Sequence, residues 1–320
     1  MKLTPPPCMS CLISVHPSVW RDQIYPSRSY HSTIQMSNRD EHIIEAIGRC
    51  RIVVRDGRVV DVGEPQIDDC PLARRFACPV REMTPDAIRE NIEGRIRTFG
   101  MCTPEREVLA GSDFVIFGAS ELLSGAIRQG LLDAVVIVSD GAGTLVAEDP
   151  ALIQGIGGRM SGLVKTSPIP EVIARIEANG GVILDPDTAA IDQTAGVALA
   201  ASSGHQRIAV TTASASEAAA IRDRFPEAVI VGVHLTGISR EDAALFAATA
   251  DLITACASHH VREVAAKTAL LQAGRSIPVF AMTGAGRAII LAKAGEADRP
   301  LVIHGARLPV EGSRSPAPFR

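Results

Sequence analysis

From residue 113 onward, short apolar runs alternate with segments of helical periodicity, and this alternation restricts the fold more than any other feature. The apolar runs are "DFVIFG", "AVVIVS", "GVILDP", "RIAVTTAS", "AVIVGVHLTG", "DLITACAS", "IPVFAMTGAG" and "LVIHGA". Strands separated by helices form βαβ units, whose parallel sheet is covered by helices on both faces. We therefore predict an α/β fold with a mostly parallel, doubly wound sheet. Eight candidate strands make a (β/α)8 barrel the alternative.

The residues ahead of this region predict a small β-hairpin and then a helix. In "RIVVRDGRVVDVG", Asp56 and Gly57 separate two β-branched runs, a pair that favours a two-residue hairpin turn. In "TPDAIRENIEGRIRTFG", Thr84 is a good N-cap for an amphipathic helix that begins at Pro85.

The predicted organisation has four parts. The segment before Met36 has no hydrophobic period and is expected to be a misplaced start within a disordered extension. The four ranges are the extension over 1–39, the hairpin, cysteine-containing segment and helix over 40–110, the α/β domain over 111–308 and a disordered tail over 309–320.

The composition argues against two classes of partner. Hydrophobic residues make up 46% of the chain, but the longest apolar run is far shorter than the roughly 18 residues that cross a bilayer. A net charge of -4 gives no overall attraction for nucleic acid, and 3% aromatic residues leave few stacking platforms. Seven cysteines are an odd number without a disulfide framework. We therefore expect a cytoplasmic protein with no membrane or nucleic-acid partner.

Small and polar side chains follow several of the predicted strands. The carboxyl ends of parallel strands meet at one edge of the sheet, where ligands bind, and the amides that begin the following helices favour an anion. Ordinary helix capping explains such residues equally well. The candidate ligand-binding residues at the strand ends are His234, Thr236, Cys256, Ser258 and Thr283.

The stretch "GIGGRMSGLVKTSPIP", residues 155–170, combines glycines with hydroxyl and basic side chains. Two residues separate Gly162 from Lys165, so it is not a Walker loop, and Met160 replaces the third glycine of a dinucleotide fingerprint. Two interpretations of this stretch are possible. It forms an anion-binding nest, with "SDGAGT" as a second wall of the pocket, or it is a purely structural glycine loop. The candidate anion ligands are Asp140, Gly141, Gly143, Thr144, Gly157, Gly158, Arg159, Ser161, Lys165 and Thr166.

Four cysteines are concentrated around the predicted hairpin and first helix. Four thiolates can bind zinc or an iron-sulfur cluster. The spacing contains no C-x-x-C in this region, so free thiols are the alternative. The candidate metal ligands are Cys50, Cys70, Cys78 and Cys102.

Several long strings resemble one protein family. They are "DEHIIEAIGRCRIVVRDGRVVDVGEPQIDDCPL", "RIRTFGMCT", "GLLDAVVIVSDGAGT", "IQGIGGRMSGLVKTSPIPEVI", "IDQTAGV" and "HLTGIS". These strings, over about residues 40–295, are similar to methanogenesis marker protein 8, the DUF2099 family. The resemblance implies a cytoplasmic protein of methane-producing archaea whose occurrence follows the methyl-coenzyme M reductase pathway. It supplies no catalytic residues, and its pattern includes cysteines that match Cys70 and Cys102.

Two functions are compatible with these observations. No general acid-base pair stands out, which favours an accessory or maturation factor that binds a cofactor, an anionic small molecule or a partner. The resemblance implies methyl-coenzyme M reductase or its assembly factors as that partner. The alternative is an enzyme that acts on a small anionic metabolite or coenzyme precursor in the crevice at the strand ends.

Overall fold

The computed structural model describes residues 40–70, 72–75, 79–298, 300–312 and 316. These residues form two β-sheets and nine α-helices and belong to one compact unit. The predicted extension over 1–39 and Cys78 lie outside the described residues.

The smaller sheet contains β1 Glu41–Ala46, β2 Cys50–Arg55, β3 Arg58–Val62 and β6 Leu163–Lys165. Its order is β3-β2-β1-β6, and every neighbouring pair is antiparallel. Asp56 and Gly57 have φ of 49° and 66° in the turn between β2 and β3, which confirms the predicted hairpin. β1 was not predicted from the sequence. Its side chains alternate between half-buried and buried, which is the pattern of a strand.

The predicted first helix is confirmed as α1, Pro85–Phe99. The side chain of Thr84 accepts a hydrogen bond from the amide of Ala87 at 3.2 Å, and Gly100 ends the helix with φ of 70°. Ile88 and Ile92 are fully buried in the core of the smaller sheet. Burial of each such side chain contributes about 1.5–3 kcal/mol. A single 3₁₀ turn, Ala73–Arg75, precedes this helix.

The larger sheet contains β4 Ala134–Ser139, β5 Gly143–Ala147, β7 Val182–Ile183, β8 Ile208–Thr212, β9 Val229–Gly232, β10 Leu252–Thr254, β11 Leu271–Ala273 and β12 Val279–Ala281. Its order is β11-β12-β10-β9-β8-β4-β5-β7. The central strands β4, β8, β9 and β10 are parallel, and two strands at each edge extend the sheet with antiparallel pairing.

This order bears on two details of the predicted architecture. The sheet has two open edges, β11 and β7, so the described residues do not form the barrel that was the alternative. The doubly wound arrangement is not confirmed, because the parallel strands β8, β9 and β10 are added on one side of β4 and the strands on its other side, β5 and β7, pair antiparallel. The mixed α/β class itself agrees with the prediction.

Helices cover both faces of the larger sheet. The helices whose apolar side chains share a core on one face are α2 Ala119–Arg128, α3 Pro150–Gly157, α4 Pro170–Glu177 and α9 Gly284–Gly295. Those on the other face are α5 Gln193–Ser202, α6 Ala215–Arg224, α7 Arg240–Thr249 and α8 His259–Thr268. Neighbouring residues of β4, such as Val135 and Val136, belong to opposite cores. Burial on both faces explains why the central strands are continuous apolar runs.

Two apolar runs that were predicted as strands are not strands. "DFVIFG" is a bent segment before α2, because the carboxylate of Glu121 accepts the amides of Phe114 and Val115 at 3.0 and 3.2 Å. "LVIHGA" lies on the surface and pairs with none of the described strands, with Val302 87% and Ile303 78% exposed. Beyond it, Val310 exchanges two hydrogen bonds with the side chain of Gln272 in β11.

No helix in the described part of the chain combines the length and the apolar character that crossing a bilayer requires.

Candidate functional site

A polar cleft lies where the parallel strands β8 and β9 end. It has a volume of about 350 Å³, which suits a small metabolite. Its lining comes from the residues after β8, the residues after β9 and the turn between β1 and β2. The lining residues are Arg49, Ala213, Ser214, Ala215, Ser216, Gly237, Ile238, Ser239, Asp242 and Phe246. We call this the strand-end cleft.

Two helices begin in this cleft, and serine caps explain why. The side chain of Ser214 accepts the amide of Glu217 at 3.2 Å, which starts α6. The side chain of Ser239 accepts the amide of Asp242 at 3.0 Å, which starts α7. The remaining amides of a first helical turn have no acceptor inside the helix and carry a partial positive charge. The cleft therefore combines two electropositive helix ends with serine hydroxyls.

Arg49 brings a formal positive charge to this cleft from the smaller sheet. Ile47, Gly48 and Arg49 all have positive φ in the tight turn between β1 and β2. The guanidinium donates from Nη1 to the carbonyl oxygen of Thr236 at 3.0 Å and from Nε to the carboxylate of Glu45 at 3.3 Å. Both contacts leave donor atoms of the guanidinium for a ligand.

His234 is not part of the cleft lining. It has φ of 57°, and its Nε2 is 3.7 Å from Oε2 of Glu45. The imidazole of His234 and the guanidinium of Arg49 lower the pKa of the Glu45 carboxyl, against the opposing effect of burial. Glu45 is therefore a negative charge held between two cationic or polar groups, and it orients Arg49 toward the cleft.

The other strand-end candidates occupy three different places. Thr236 contributes its carbonyl to Arg49, and its hydroxyl accepts the amide of Ala257 at 3.4 Å. Cys256 follows β10 with φ of 44°, and Ser258 caps α8. Thr283 follows β12, which runs antiparallel to β10. It therefore lies at the amino ends of the parallel strands, whereas the strand-end cleft lies at their carboxyl ends.

The glycine-rich stretch is divided between several elements. Gly157 is the last residue of α3, and the amide of Gly158 donates to the carbonyl of Gln154 at 3.0 Å. These amides lie at a helix C-terminus, where the macrodipole disfavours an anion. Ser161 is exposed, and Lys165 belongs to β6 and donates to Glu41 at 3.0 Å.

Other members of the predicted anion site form contacts within the protein. Arg159 donates to the carbonyl of Glu107 at 2.8 Å and stacks over the ring of Phe99. Gly141 belongs to the turn between β4 and β5, and its amide donates to the Thr166 hydroxyl at 2.7 Å. Gly143 and Thr144 begin β5.

Asp140, in the same turn, is fully buried and forms an ion pair with Arg106. Arg106 Nε donates to Oδ1 of Asp140 at 2.9 Å, and the amide of Cys102 donates to Oδ2 at 2.6 Å. Neither charged side chain has any exposed surface. The pair joins the turn after α1 to the larger sheet.

The described cysteines are free thiols in two separate environments. Cys50 and Cys102 are buried in the core of the smaller sheet, while Cys70 and Cys256 are half-buried. Burial raises the pKa of Cys50 to about 11 and the pKa of Cys102 well above its usual range. Among the described residues, no three histidine, cysteine or acidic side chains are placed together as metal ligands. A site that includes Cys78 stays a prediction.

None of the predicted ligand-binding residues is in the lining of this cleft, and its members Arg49, Ser216, Ser239 and Asp242 were not predicted from the sequence. The serine at each helix start is a readable capping signal in "TTASASEAAA" and "GISREDAA". Arg49 carries no such signal, because it reaches the cleft only through the pairing of the whole smaller sheet.

A family model described as an uncharacterized protein conserved in archaea, DUF2099, matches residues 42–295. The chain belongs to the DUF2099 family. An uncharacterized protein of Methanocaldococcus jannaschii is 42% identical to this DUF2099 chain over 285 residues, which cover 88% of this chain and 99% of that protein. No solved structure matches it. The strand-end cleft lies within the matched residues.

Proposed function

We propose that this DUF2099 protein binds a small anionic molecule in the strand-end cleft and acts as an accessory or maturation factor of methanogenesis. The observation that carries the binding proposal is the convergence of the first turns of α6 and α7 with Arg49 on one polar cleft. A phosphate or carboxylate group fits the amides of those turns and the guanidinium.

The remaining lining restricts the rest of the ligand. Asp242 is the acidic member of the lining and only accepts hydrogen bonds when it is ionised. It suits a hydroxyl or ammonium group of the ligand and disfavours a second anionic group. Ser214 and Ser216, whose hydroxyls are 3.0 Å apart, add donors and acceptors. The ligand class is therefore a small phosphate or carboxylate that also carries a hydroxyl or an amine.

Calorimetric titration of the full chain with inorganic phosphate tests the binding proposal. Arg49→Gln removes the formal charge, and hydrogen bonds to charged groups contribute about 1.5–3 kcal/mol. The expected result is a loss of about tenfold or more in phosphate affinity in a variant that is still folded at the temperature of the titration. The matched control is Arg51→Gln, because Arg51 is an exposed arginine of β2 that pairs with Asp61 away from the lining.

The same titration separates this cleft from the glycine-rich stretch. Lys165→Ala changes a residue of that stretch that contacts Glu41 on the surface. Phosphate affinity that falls with Lys165→Ala and stays constant with Arg49→Gln would overturn the strand-end cleft as the anion site.

The role in methanogenesis rests on the family resemblance, and its partner would be methyl-coenzyme M reductase or an assembly factor of that enzyme. Affinity purification of a tagged chain from a methane-producing archaeon tests this role. Reductase subunits should be enriched over a tag-only control. Equal recovery from both preparations, from extracts in which the reductase is abundant, would contradict the partnership.

A further inference from the structure

A hydroxyl, an imidazole and a carboxylate stand in series at the junction of β1 and β6. Nδ1 of His42 is 2.6 Å from the hydroxyl oxygen of Thr166, and Nε2 is 2.8 Å from Oδ1 of Asp40. The antiparallel pairing of β1 with β6 explains the arrangement, because Ile43 lies opposite Lys165 and so sets His42 beside Thr166.

The direction of the protons in this series follows from burial. His42 has no exposed surface, so Thr166 and Asp40 are the polar neighbours of its two ring nitrogens. A neutral imidazole has one donor and one acceptor nitrogen, and a carboxylate only accepts. Nδ1 therefore accepts the hydroxyl hydrogen of Thr166, and Nε2 is the donor nitrogen on the side of Asp40, close to Oδ1 but not aligned with it for a hydrogen bond. The amide of Gly141, which donates to the same oxygen at 2.7 Å, requires that the hydroxyl hydrogen point elsewhere.

A second cleft, of about 280 Å³, adjoins the series. Asp40 is part of its wall, and so is Ser167, the residue after Thr166. The wall is mostly proline and isoleucine with two acidic side chains, so it suits an uncharged or cationic group rather than an anion. The lining residues are Asp40, Pro104, Ser167, Pro168, Ile169, Pro170 and Glu171.

We propose that Thr166 is a nucleophile that accepts an acyl group from a small carboxylic ester or thioester, with His42 as general base and Asp40 as the nearby carboxylate whose charge stabilises the protonated imidazole. This series has the order nucleophile, base and carboxylate that activates serine and threonine hydroxyls on unrelated folds. The proposal is independent of anion binding, because the two clefts share no lining residue.

The step balances with water as the co-reactant. The Thr166 oxygen forms a bond to the acyl carbon, and Nδ1 of His42 takes the hydroxyl proton. The bond from the acyl carbon to the leaving oxygen or sulfur breaks, and that atom receives the proton from His42. Water then attacks the acyl-threonine with His42 again as base, which releases the carboxylic acid and restores the hydroxyl.

The test uses p-nitrophenyl acetate as the probe and follows both p-nitrophenolate release and the mass of the Thr166 peptide. The expected result is one acetyl group on Thr166 and a release rate that falls tenfold or more in Thr166→Val and His42→Gln. Thr166→Ser should recover activity, because it restores a hydroxyl at the same atom. Thr188→Val is the matched control, because it removes a surface hydroxyl that contacts Asp185.

One further measurement separates catalysis from a structural role. Asp40→Asn should change the pH dependence of p-nitrophenolate release, whereas a merely structural contact would change only the melting temperature. Acetylation of a different residue, or equal release by folded Thr166→Ser and Thr166→Val, would overturn the proposal. If the valine variant does not fold, the acetylated position in the wild-type chain decides the question, and an unmodified Thr166 peptide overturns it.

Discussion

Nη1 of Arg49 lies 3.0 Å from the carbonyl oxygen of Thr236 and donates a hydrogen bond to it. This contact ties the turn between β1 and β2 to the segment that follows β9. The smaller sheet thereby supplies one wall of the strand-end cleft. The other walls are formed by the N-terminal ends of α6 and α7, which cover the larger sheet. A substitution that breaks this contact is therefore expected to lower the stability of the protein and to alter the strand-end cleft as well.

Gly162 occupies the most crowded part of this region. It has φ of 75°, and a Cβ there would lie 2.0 Å from the carbonyl oxygen of Glu45 and 2.8 Å from the ring of His234. Gly162→Ala is expected to lower the free energy of unfolding by about 2–4 kcal/mol, measured by urea denaturation.

Gly180→Ala is the matched control for this substitution. Gly180 has φ of 78°, but a Cβ there would have no neighbour within 4 Å. Its cost should be about 1 kcal/mol, from the left-handed backbone alone. Equal losses for the two variants would contradict the close packing of β6 against Glu45 and His234.

The buried pair of Arg106 and Asp140 should be costly to break. Asp140→Asn leaves the Arg106 charge without its counterion where neither side chain touches water, so unfolding free energy should fall by about 3–5 kcal/mol. Denaturant unfolding measures this loss. Asp133→Asn is the comparison, because Asp133 pairs with Arg207 on the surface and should cost much less. Similar losses at both positions would show that the Arg106 pair is hydrated.

Thiol reactivity should follow burial. Cys50 and Cys102 are fully buried with raised pKa values, so they should resist iodoacetamide in the native protein at pH 7 and react only after unfolding. Among the four described cysteines, Cys256 is half-buried and should react before Cys50 and Cys102. Mass spectrometry of the labelled peptides gives the order. Rapid native labelling of Cys102 would place that thiol at the surface and contradict the packing of the turn after α1.

Glu296 should contribute an acid-sensitive part of the stability. Hydrogen bonds, first from Arg128, lower the pKa of Glu296 to about 2 in the folded protein. A lowered folded pKa gives stability that is present above the unfolded pKa, near 4.5, and is lost as pH falls toward 2. Glu296→Gln should therefore reduce stability at pH 7 and flatten its decline below pH 5.

Unfolding of Glu296→Gln at pH 7 and pH 3 tests this sign. The exposed residue Glu227 offers the control Glu227→Gln, which should follow the wild-type profile. A Glu296→Gln variant that loses more stability at pH 3 than at pH 7, relative to wild type, would contradict the prediction.

Local signals in the sequence were sufficient for the hairpin and for α1. The turn at Asp56 and Gly57 needs two positive φ values, and Thr84 with Pro85 starts a helix, so neighbouring residues decide both structures. The runs that begin at Phe114 and Leu301 resemble strands equally well, but none of the described strands pairs with them. Strand pairing is a long-range property that an apolar run alone does not encode.

The location of the candidate site could be predicted from the sequence, but the residues that line it could not. The carboxyl ends of parallel strands are where ligands bind in this class of fold, and the cleft lies at two of them. Arg49 lies far from the cleft in sequence and reaches it through the smaller sheet. Thr283 follows an antiparallel strand, so its direction, which the sequence did not reveal, removes it from the cleft.

The measurement that tests anion binding most directly is a crystal structure of the full chain with tungstate, whose anomalous scattering marks its position. One tungstate should lie in the strand-end cleft, about 3 Å from the amide of Ser216 and the guanidinium of Arg49. Crystals of Arg49→Gln should lack it. A tungstate bound by the stretch of residues 155–166, with none in the cleft at saturating concentration, would contradict the account.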